Sequence, residues 1–358
     1  MKQYRKILTV TALLLCVLLL ECVGNVLLGQ LPTQQLADRW SKEEPYAQIS
    51  CFFSENAGIS KDMILPIEQQ IRSALEEASV DADGENGRTW VDAYSTESEL
   101  TIASDRTSMT ARTYGVSQDF FLFHPLTLLS GNYFGAADES NDGVILDENV
   151  AWQLFGSYNV AGMTVDIGNS TYVIRGVVRG DHGFFSDAAA EETPTVYVAY
   201  DILESQLAEG EILTLDSYEL LIADPVSGFG MTTVKNALGL DEGNYDIVEN
   251  SARNSLVSRL TTLKNFGVRS MNTKAIIYPY WENRARGYED VLALLLVVEI
   301  ICLIYPVIFA GQKLHQFWKN KQAIKVWLKD RLISLWKKVW HFLKTFVKRV
   351  RKIKAEEA

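Results

Sequence analysis

Cysteine and histidine are both scarce in this 358-residue chain, with four of each. Cys16, Cys22 and Cys302 fall in apolar runs, which leaves Cys51 alone in the acidic middle of the sequence. A lone thiol cannot staple its own domain, so an intramolecular disulfide framework is excluded there. That middle part holds two histidines, His124 and His182, and no Cys/His cluster has zinc spacing, which argues against a multi-histidine metal site. No Gly-x-x-x-x-Gly-Lys loop occurs, so the chain does not hydrolyse ATP by that route, and the Gly-x-Ser-x-Gly elbow of hydrolases is missing too. Basic residues are thin between 29 and 290: 17 Lys and Arg stand against 40 Asp and Glu, a net charge of −23. Phosphate backbones are repelled by such a surface, so nucleic acid is not expected as a partner. Among so many acids no catalytic carboxylate pair can be singled out. No cofactor is expected, and the chain is read as a non-enzyme.

Two long apolar runs are present. Ile7 to Leu28 follows a short basic start (Lys2, Arg5, Lys6), and Val291 to Gly311 lies too late in the chain to be a signal. Each suffices for the roughly 20 residues that a helix needs to cross a bilayer. A cleaved signal peptide competes for the first run, but no Ala-x-Ala-like site is present, and Glu21 stands where lipoprotein processing wants a small residue. A retained anchor is therefore expected. Residues 312–358 carry 14 basic and three acidic residues, a net of +11. The positive-inside rule then places both termini in the cytoplasm and residues 29–290 outside, with Ser95 read as an exposed position there.

Glu21 and Glu299 are intramembrane carboxylates, and Asn25 follows Glu21 by one helical turn. Glu299 lies near the middle of its run, where facing lipid is costly. These three residues are the candidates for membrane helix–helix contact. A protonated structural hydrogen bond fits Glu299 better than ion translocation, because one carboxylate makes no relay.

The acidic part reads as mixed α/β. Strands are expected at Tyr46–Phe53, Trp90–Ala103, Ser108–Val116, Gly143–Leu146, Thr164–Ile167, Thr171–Val178, Thr195–Ala199, Tyr218–Ala223 and Tyr245–Val248. Helices are expected at Lys61–Ala78 with Ser60 as cap, Asn149–Phe155, Gly230–Leu238 and Ser251–Phe266. Strand–helix–strand units at both ends of a β-rich middle predict two lobes, the middle one inserted. Asp138 to Gly143 has the oxygen spacing of a calcium-loop start, but Asn149 stands where the bidentate Glu belongs, which favours a polar turn. His124-Pro125 sits among Phe and Leu residues and is assigned to packing.

The stretch from Val116 to Val178 resembles the extracytoplasmic core domain of MacB-like ABC transporter permeases. It carries Val116-Ser117-x-Asp119-Phe120-Phe121, then Leu128-Leu129-Ser130-Gly131-Asn132-Tyr133-Phe134, then Val144 to Ala151 with Leu154-Phe155-Gly156. Asn159-Val160-Ala161-Gly162 and Tyr172-x-Ile174-x-Gly176-Val177-Val178 complete the order. The resemblance implies an α+β, two-lobed extracytoplasmic domain at 29–290 between two transmembrane helices, 1–28 and 291–311. One lobe would be porter-like with strand–helix–strand units, the other a small β-rich insert at about 121–212. Such permeases work by mechanical coupling to a separate cytoplasmic ATPase and normally have four membrane helices. After Gly311 no further run is long enough to span, so this chain lacks the family's last two helices.

Instead Trp327, Leu328, Leu332, Leu335, Val339, Leu343, Phe346, Val350 and Ile353 recur every three or four residues among Lys and Arg. That pattern predicts a basic amphipathic helix at 313–354 on an anionic inner membrane surface. A coiled coil or a docking helix for a cytoplasmic partner is the competing reading. The resemblance thus implies a non-catalytic permease-like or accessory subunit, with a complete permease and a separate ATPase as partners. A membrane-anchored extracellular sensor or binding module is the alternative, and an extracellular enzyme comes third.

Overall fold

The structure, a computed structural model, describes residues 2–42, 44–80, 88–134, 143–180, 193–241, 243–266, 278–319 and 327–340. Residues 81–87 and the calcium-like stretch Asp138–Asp142 lie outside the described residues, as do 320–326 and 341–358, parts of the expected amphipathic helix among them. Contacts divide the chain into two compact units: Gly24–Leu295, and Met1–Val23 together with Leu296–Ala358.

Nine α-helices are described: α1 (Lys2–Leu28), α2 (Leu36–Trp40), α3 (Ile64–Glu77), α4 (Phe120–Phe123), α5 (Glu148–Phe155), α6 (Tyr200–Glu204), α7 (Phe229–Leu238), α8 (Leu256–Lys264) and α9 (Tyr280–Lys319). Residues 327–340 are helical as well. Ten strands are formed among the described residues: β1 (Tyr46–Phe53), β2 (Trp90–Ala103), β3 (Ser108–Val116), β4 (Thr127–Gly131), β5 (Gly143–Asp147), β6 (Thr164–Ile167), β7 (Ser170–Arg179), β8 (Thr195–Ala199), β9 (Ser217–Ala223) and β10 (Tyr245–Glu249).

In the Gly24–Leu295 unit these strands form one sheet in the order β10-β1-β9-β2-β3-β8-β5-β7-β4, with β6 pairing β2 and β7. The first four strands come from two interleaved β–α–β units, β1-α3-β2 and β9-α7-β10. Strand β9 pairs antiparallel with both β1 and β2, and β1 pairs antiparallel with β10. Each unit therefore has its parallel strands held apart by a strand of the other. Ile64, Ile67, Ile71 and Leu75 recur at helical spacing on α3 and are buried, each worth about 1.5–3 kcal/mol of apolar burial. They meet the buried Val234, Ala237 and Leu238 of α7 in one core.

Strand β2 is long enough to serve both lobes. Its first residues, Trp90–Ser95, pair with β9, while Ser95–Ala103 pair with β3. A second core, with Ile102, Ala111, Val144, Leu146, Val150, Leu154, Ile174 and Val198, fills the inserted lobe. The fold is α+β with two lobes on one sheet. The hairpin turn at Gly168-Asn169 joins β6 to β7, and Gly168 takes φ 59°, the left-handed backbone such a turn requires.

Three local expectations differ from what is observed. Ser60 is extended, makes no side-chain cap, and is followed by a 3₁₀ turn at Lys61–Met63 before α3 begins. The helix expected from Ser251 starts only at Leu256: Ser251 accepts from the Gln48 amide instead (2.7 Å), and Ser255 caps Ser258 N. Ser95 is buried, with its hydroxyl 2.7 Å from that of Ser217 across the β2–β9 pair.

In the second unit, α1 and α9 carry the apolar runs, with mean hydropathies of 2.5 and 2.9 over their best windows. Only 6% and 28% of those windows are buried within the protein, which separates them from core helices of a soluble domain. Leu8, Leu15, Leu18, Ile301, Ile304 and Val307 are exposed. The thiols of Cys16 and Cys302 meet as free cysteines. Helix α9 continues through Pro306, and the 327–340 helix exposes Trp327, Leu332, Trp336 and Trp340.

Gly230 sets how closely α7 approaches the sheet. A Cβ there would lie 2.7 Å from Ile222 Cγ2 and 3.0 Å from Ala47 Cβ, neither of them a flexible chain end. Gly230→Ala should therefore lose about 1–3 kcal/mol to overpacking, more than the ~1 kcal/mol a helical Ala returns, and lower the melting temperature.

Candidate functional site

Helix α9 does not begin at the membrane run. It starts at Tyr280, eleven residues earlier, and its first turns are built into the Gly24–Leu295 unit. Trp281 is 4% exposed and lies against Tyr114, Phe120 and His124, with ring centroids 5.4, 5.7 and 4.4 Å away. Aromatic pairs at such separations are worth about 0.5–1.5 kcal/mol beyond their burial. Ala285 and Tyr288 pack on Leu27 and Leu31, where α1 ends.

The polar side of these turns carries Glu282, Arg286 and Glu289, which helical spacing places along one face. Arg253, just after β10, reaches between them. Its Nη1 and Nη2 donate to the two oxygens of Glu282, each at 2.8 Å, and its Nε donates to Glu289. Arg286 donates to Glu282 (2.5 Å) and to Asp246 (2.8 Å), and lies 3.8 Å over the Tyr278 ring. All of Arg253, Glu282, Arg286 and Glu289 are buried. Burial pushes the Glu282 carboxyl up, but Arg253 and Arg286 outweigh it and hold the group below the usual carboxylate range. Arg286 is desolvated yet raised by Glu282.

The polar chain continues across the sheet. Arg253 Nη1 donates to Asn250 (3.1 Å), whose amide donates to Ser50 Oγ (2.8 Å), and Ser50 donates to Glu219 (2.8 Å). Ser50 on β1 and Glu219 on β9 are direct register partners. Glu219 also bonds His124, the residue that ends α4, and His124 stacks on Phe120 at 4.2 Å and touches Trp281. The path from α9 through β10, β1 and β9 thus closes back on α9. The arrangement gives each ionised group a counter-charge or a donor. It fixes geometry.

A cleft of about 420 Å³ is lined by Lys61, Glu68, Asp92, Tyr94, Asp119 and Asp201, among others. Lys61 pairs with Asp201 and Arg88 with Asp119. Burial pushes the Asp92 carboxyl up to about 7, against the 2.9 Å hydrogen bond from Tyr218. Among the described residues, no group of three or more His, Cys, Asp or Glu is placed to hold a metal ion.

The profile of the MacB-like periplasmic core domain matches residues 28–237, more than half of the chain. The chain belongs to this family. The crystal structure of the periplasmic region of MacB from Actinobacillus actinomycetemcomitans is similar at 18% identity, covering 61% of this chain and 92% of that one, with a TM-score of 0.41. The extracellular domain of the ABC-type transporter YknZ from Gram-positive bacteria matches at 16% identity, over 56% of this chain and 99% of that one, with a TM-score of 0.35. No curated protein matches. The MacB-like domain here belongs to a membrane-associated protein of the ABC transporter permease type, with an extracytoplasmic domain and two candidate spans.

The sequence-derived contact candidates fall in different surroundings. Glu299 is 4% exposed and engaged, Glu21 is half-buried and Asn25 is exposed. Sequence reading missed the MacB-like domain's junction entirely: Arg253, Glu282, Arg286 and Glu289. The available signal was Glu282, Arg286 and Glu289 at i, i+4 and i+7 on a helix leading into an apolar run. Ser50 and Glu219 were a second signal, polar residues within strands whose every position is buried.

Removing one partner from a buried ion network strands the others. Arg253→Met should cost about 3–5 kcal/mol in thermal or denaturant unfolding of the full chain. Asp92 gives a pH test. Its folded pKa of about 7 lies above the unfolded value, so its stability contribution is present below ~4 and is lost as pH rises through about 7. Asp92→Asn keeps the partner of Tyr218 and removes that loss. Its melting temperature should exceed wild type by more at about pH 8 than at about pH 5.

Proposed function

We propose that this chain is a non-catalytic, permease-like or accessory subunit of an ABC transport or mechanotransmission complex. It works with a separate cytoplasmic ATPase and a complete permease. The observation that carries this reading is α9: one unbroken helix of 40 residues whose first turns are locked into the extracytoplasmic core and whose later part is the apolar run. At 1.5 Å per residue such a helix is ~60 Å long, twice the hydrocarbon thickness of a bilayer. Trp281 and the apolar run are thus carried by one continuous helix. The match of residues 28–237 to the MacB-like periplasmic core domain supports the same assignment.

In this reading both termini are cytoplasmic and residues 29–290 are outside. Glu299 faces a partner helix, because a carboxylate in mid-bilayer is costly towards lipid. The 327–340 helix, with its apolar residues exposed and Lys and Arg between them, lies on the anionic inner leaflet. The alternative, a membrane-anchored binding module, is favoured by the acidic cleft around Asp92. Small cationic ligands binding to the domain, with no ATPase or permease recovered beside it, would decide for the alternative.

Two outcomes test the assignment. A thiol reagent should label an Asp105→Cys variant on intact cells, Asp105 being exposed at the β2–β3 turn, while a tag after Ala358 resists added protease. Digestion of the tag with no labelling reverses the topology. Glu299→Leu should reduce recovery of the ATPase and permease severalfold while the melting temperature of the extracytoplasmic domain stays unchanged; equal recovery removes Glu299 from the contact.

A further inference from the structure

The acids of the extracytoplasmic domain stop abruptly before the second membrane run. From Asn250 to Trp281 there is not one Asp or Glu, while Arg253, Arg259, Lys264, Arg269 and Lys274 give the stretch five positive charges. In a domain of net −23 this 32-residue basic window needs a reason, and its own helix supplies one. Helix α8 exposes Leu256 (63%), Val257 (74%) and Leu260 (48%), and Phe266 just beyond it is 46% exposed. Its opposite side is used: Thr262 is buried and donates to the Ser258 carbonyl. An apolar surface on one side of a short, basic helix would be a liability in water.

The ion network fixes where that surface lies. Arg253 is held by Glu289, two residues or ~3 Å of helix before Val291, where the apolar run begins. Leu256 follows Arg253 by three residues, a reach of at most ~10 Å. The first residues of the run, Val291–Leu295, and the end of α1 belong to the same compact unit as α8. In that unit Val26 (66%) and Leu294 (48%) are further exposed apolar residues, on the two helices that carry the apolar runs.

We propose that α8 is an interfacial helix: Leu256, Val257 and Leu260 seat in the outer face of the membrane while Arg259 and Lys264 meet anionic lipid headgroups. Helices of this kind bury their apolar side ~5–10 Å into the headgroup–acyl boundary. Each nearby basic side chain adds attraction that falls off within a Debye length. The helix would then hold the domain at a set height over the bilayer, through Arg253 and α9.

The test uses the full chain in nanodiscs of phosphatidylcholine with phosphatidylglycerol, with Cys16, Cys22 and Cys302 replaced by Ala and the buried Cys51 kept. Nitroxide labels go on Leu256→Cys and Leu260→Cys, with Trp152→Cys, exposed on the inserted lobe, as the aqueous reference. At 256 and 260, collisions with dissolved oxygen should exceed those with a water-soluble nickel chelate severalfold, and at 152 the order should invert. Nickel-dominated relaxation at 256 and 260 overturns the proposal. Protection from both reagents overturns it as well, because a protein partner then covers the helix. In phosphatidylcholine alone the oxygen-to-nickel contrast should shrink; an unchanged contrast contradicts the headgroup assignment to Arg259 and Lys264. Melting temperatures equal to the unlabelled chain confirm that the variants are folded.

Discussion

The guanidinium of Arg253 is the constraint on which the rest of this structure depends. It leaves the main chain just after β10, is desolvated, and is held by Glu282 and Glu289 one to three turns into α9. A buried charge so placed cannot slide along the helix, because moving one turn would strand it against apolar side chains at a cost of about 3–5 kcal/mol. Ion pairs of this kind contribute little net stability against an apolar replacement, but they specify one register. Here the register set is that of a membrane helix against the edge of a sheet.

From that point two routes lead into the domain. One is polar and crosses the sheet through Asn250, Ser50, Glu219 and His124. The other is aromatic and runs from Trp281 to Tyr114, Phe120 and the stacked Tyr197. Both end at the boundary of the inserted lobe, where β3 and β8 carry Tyr114 and Tyr197. Strand β2 then ties the lobes into one sheet, while the aromatic residues of the junction, Trp281, Tyr114, Phe120 and Tyr197, all belong to the first core.

Much of this fold was legible in the sequence because it rests on periodicity. The stripe of Ile64, Ile67, Ile71 and Leu75, the alternating β6 and β7 around Gly168, and the two apolar runs each state their structure locally. The two-lobed arrangement followed from strand–helix–strand units at both ends, and the ordered motifs from Val116 to Val178 identified the family. The short α4 and α6, and β4, carry no period and were not foreseen. The start of α8 was misplaced because Ser251 is an acceptable cap in isolation and was taken instead by Gln48, 203 residues away. The junction could not be read for the same reason: Arg253, Glu282 and His124 become a site only when chain segments far apart in sequence are brought together, and singly each resembles an ordinary surface charge or a packed ring.

The central claim is that the first turns of α9 and the strands of the extracytoplasmic core are one mechanical body. Native-state hydrogen exchange on the full chain in nanodiscs measures this directly, because amides that open together share one opening free energy. The account requires residues 281–290 to exchange only with the global opening that releases β1 and β9. Exchange of 281–290 through a separate, lower-energy opening, with β1 and β9 still protected, would contradict it.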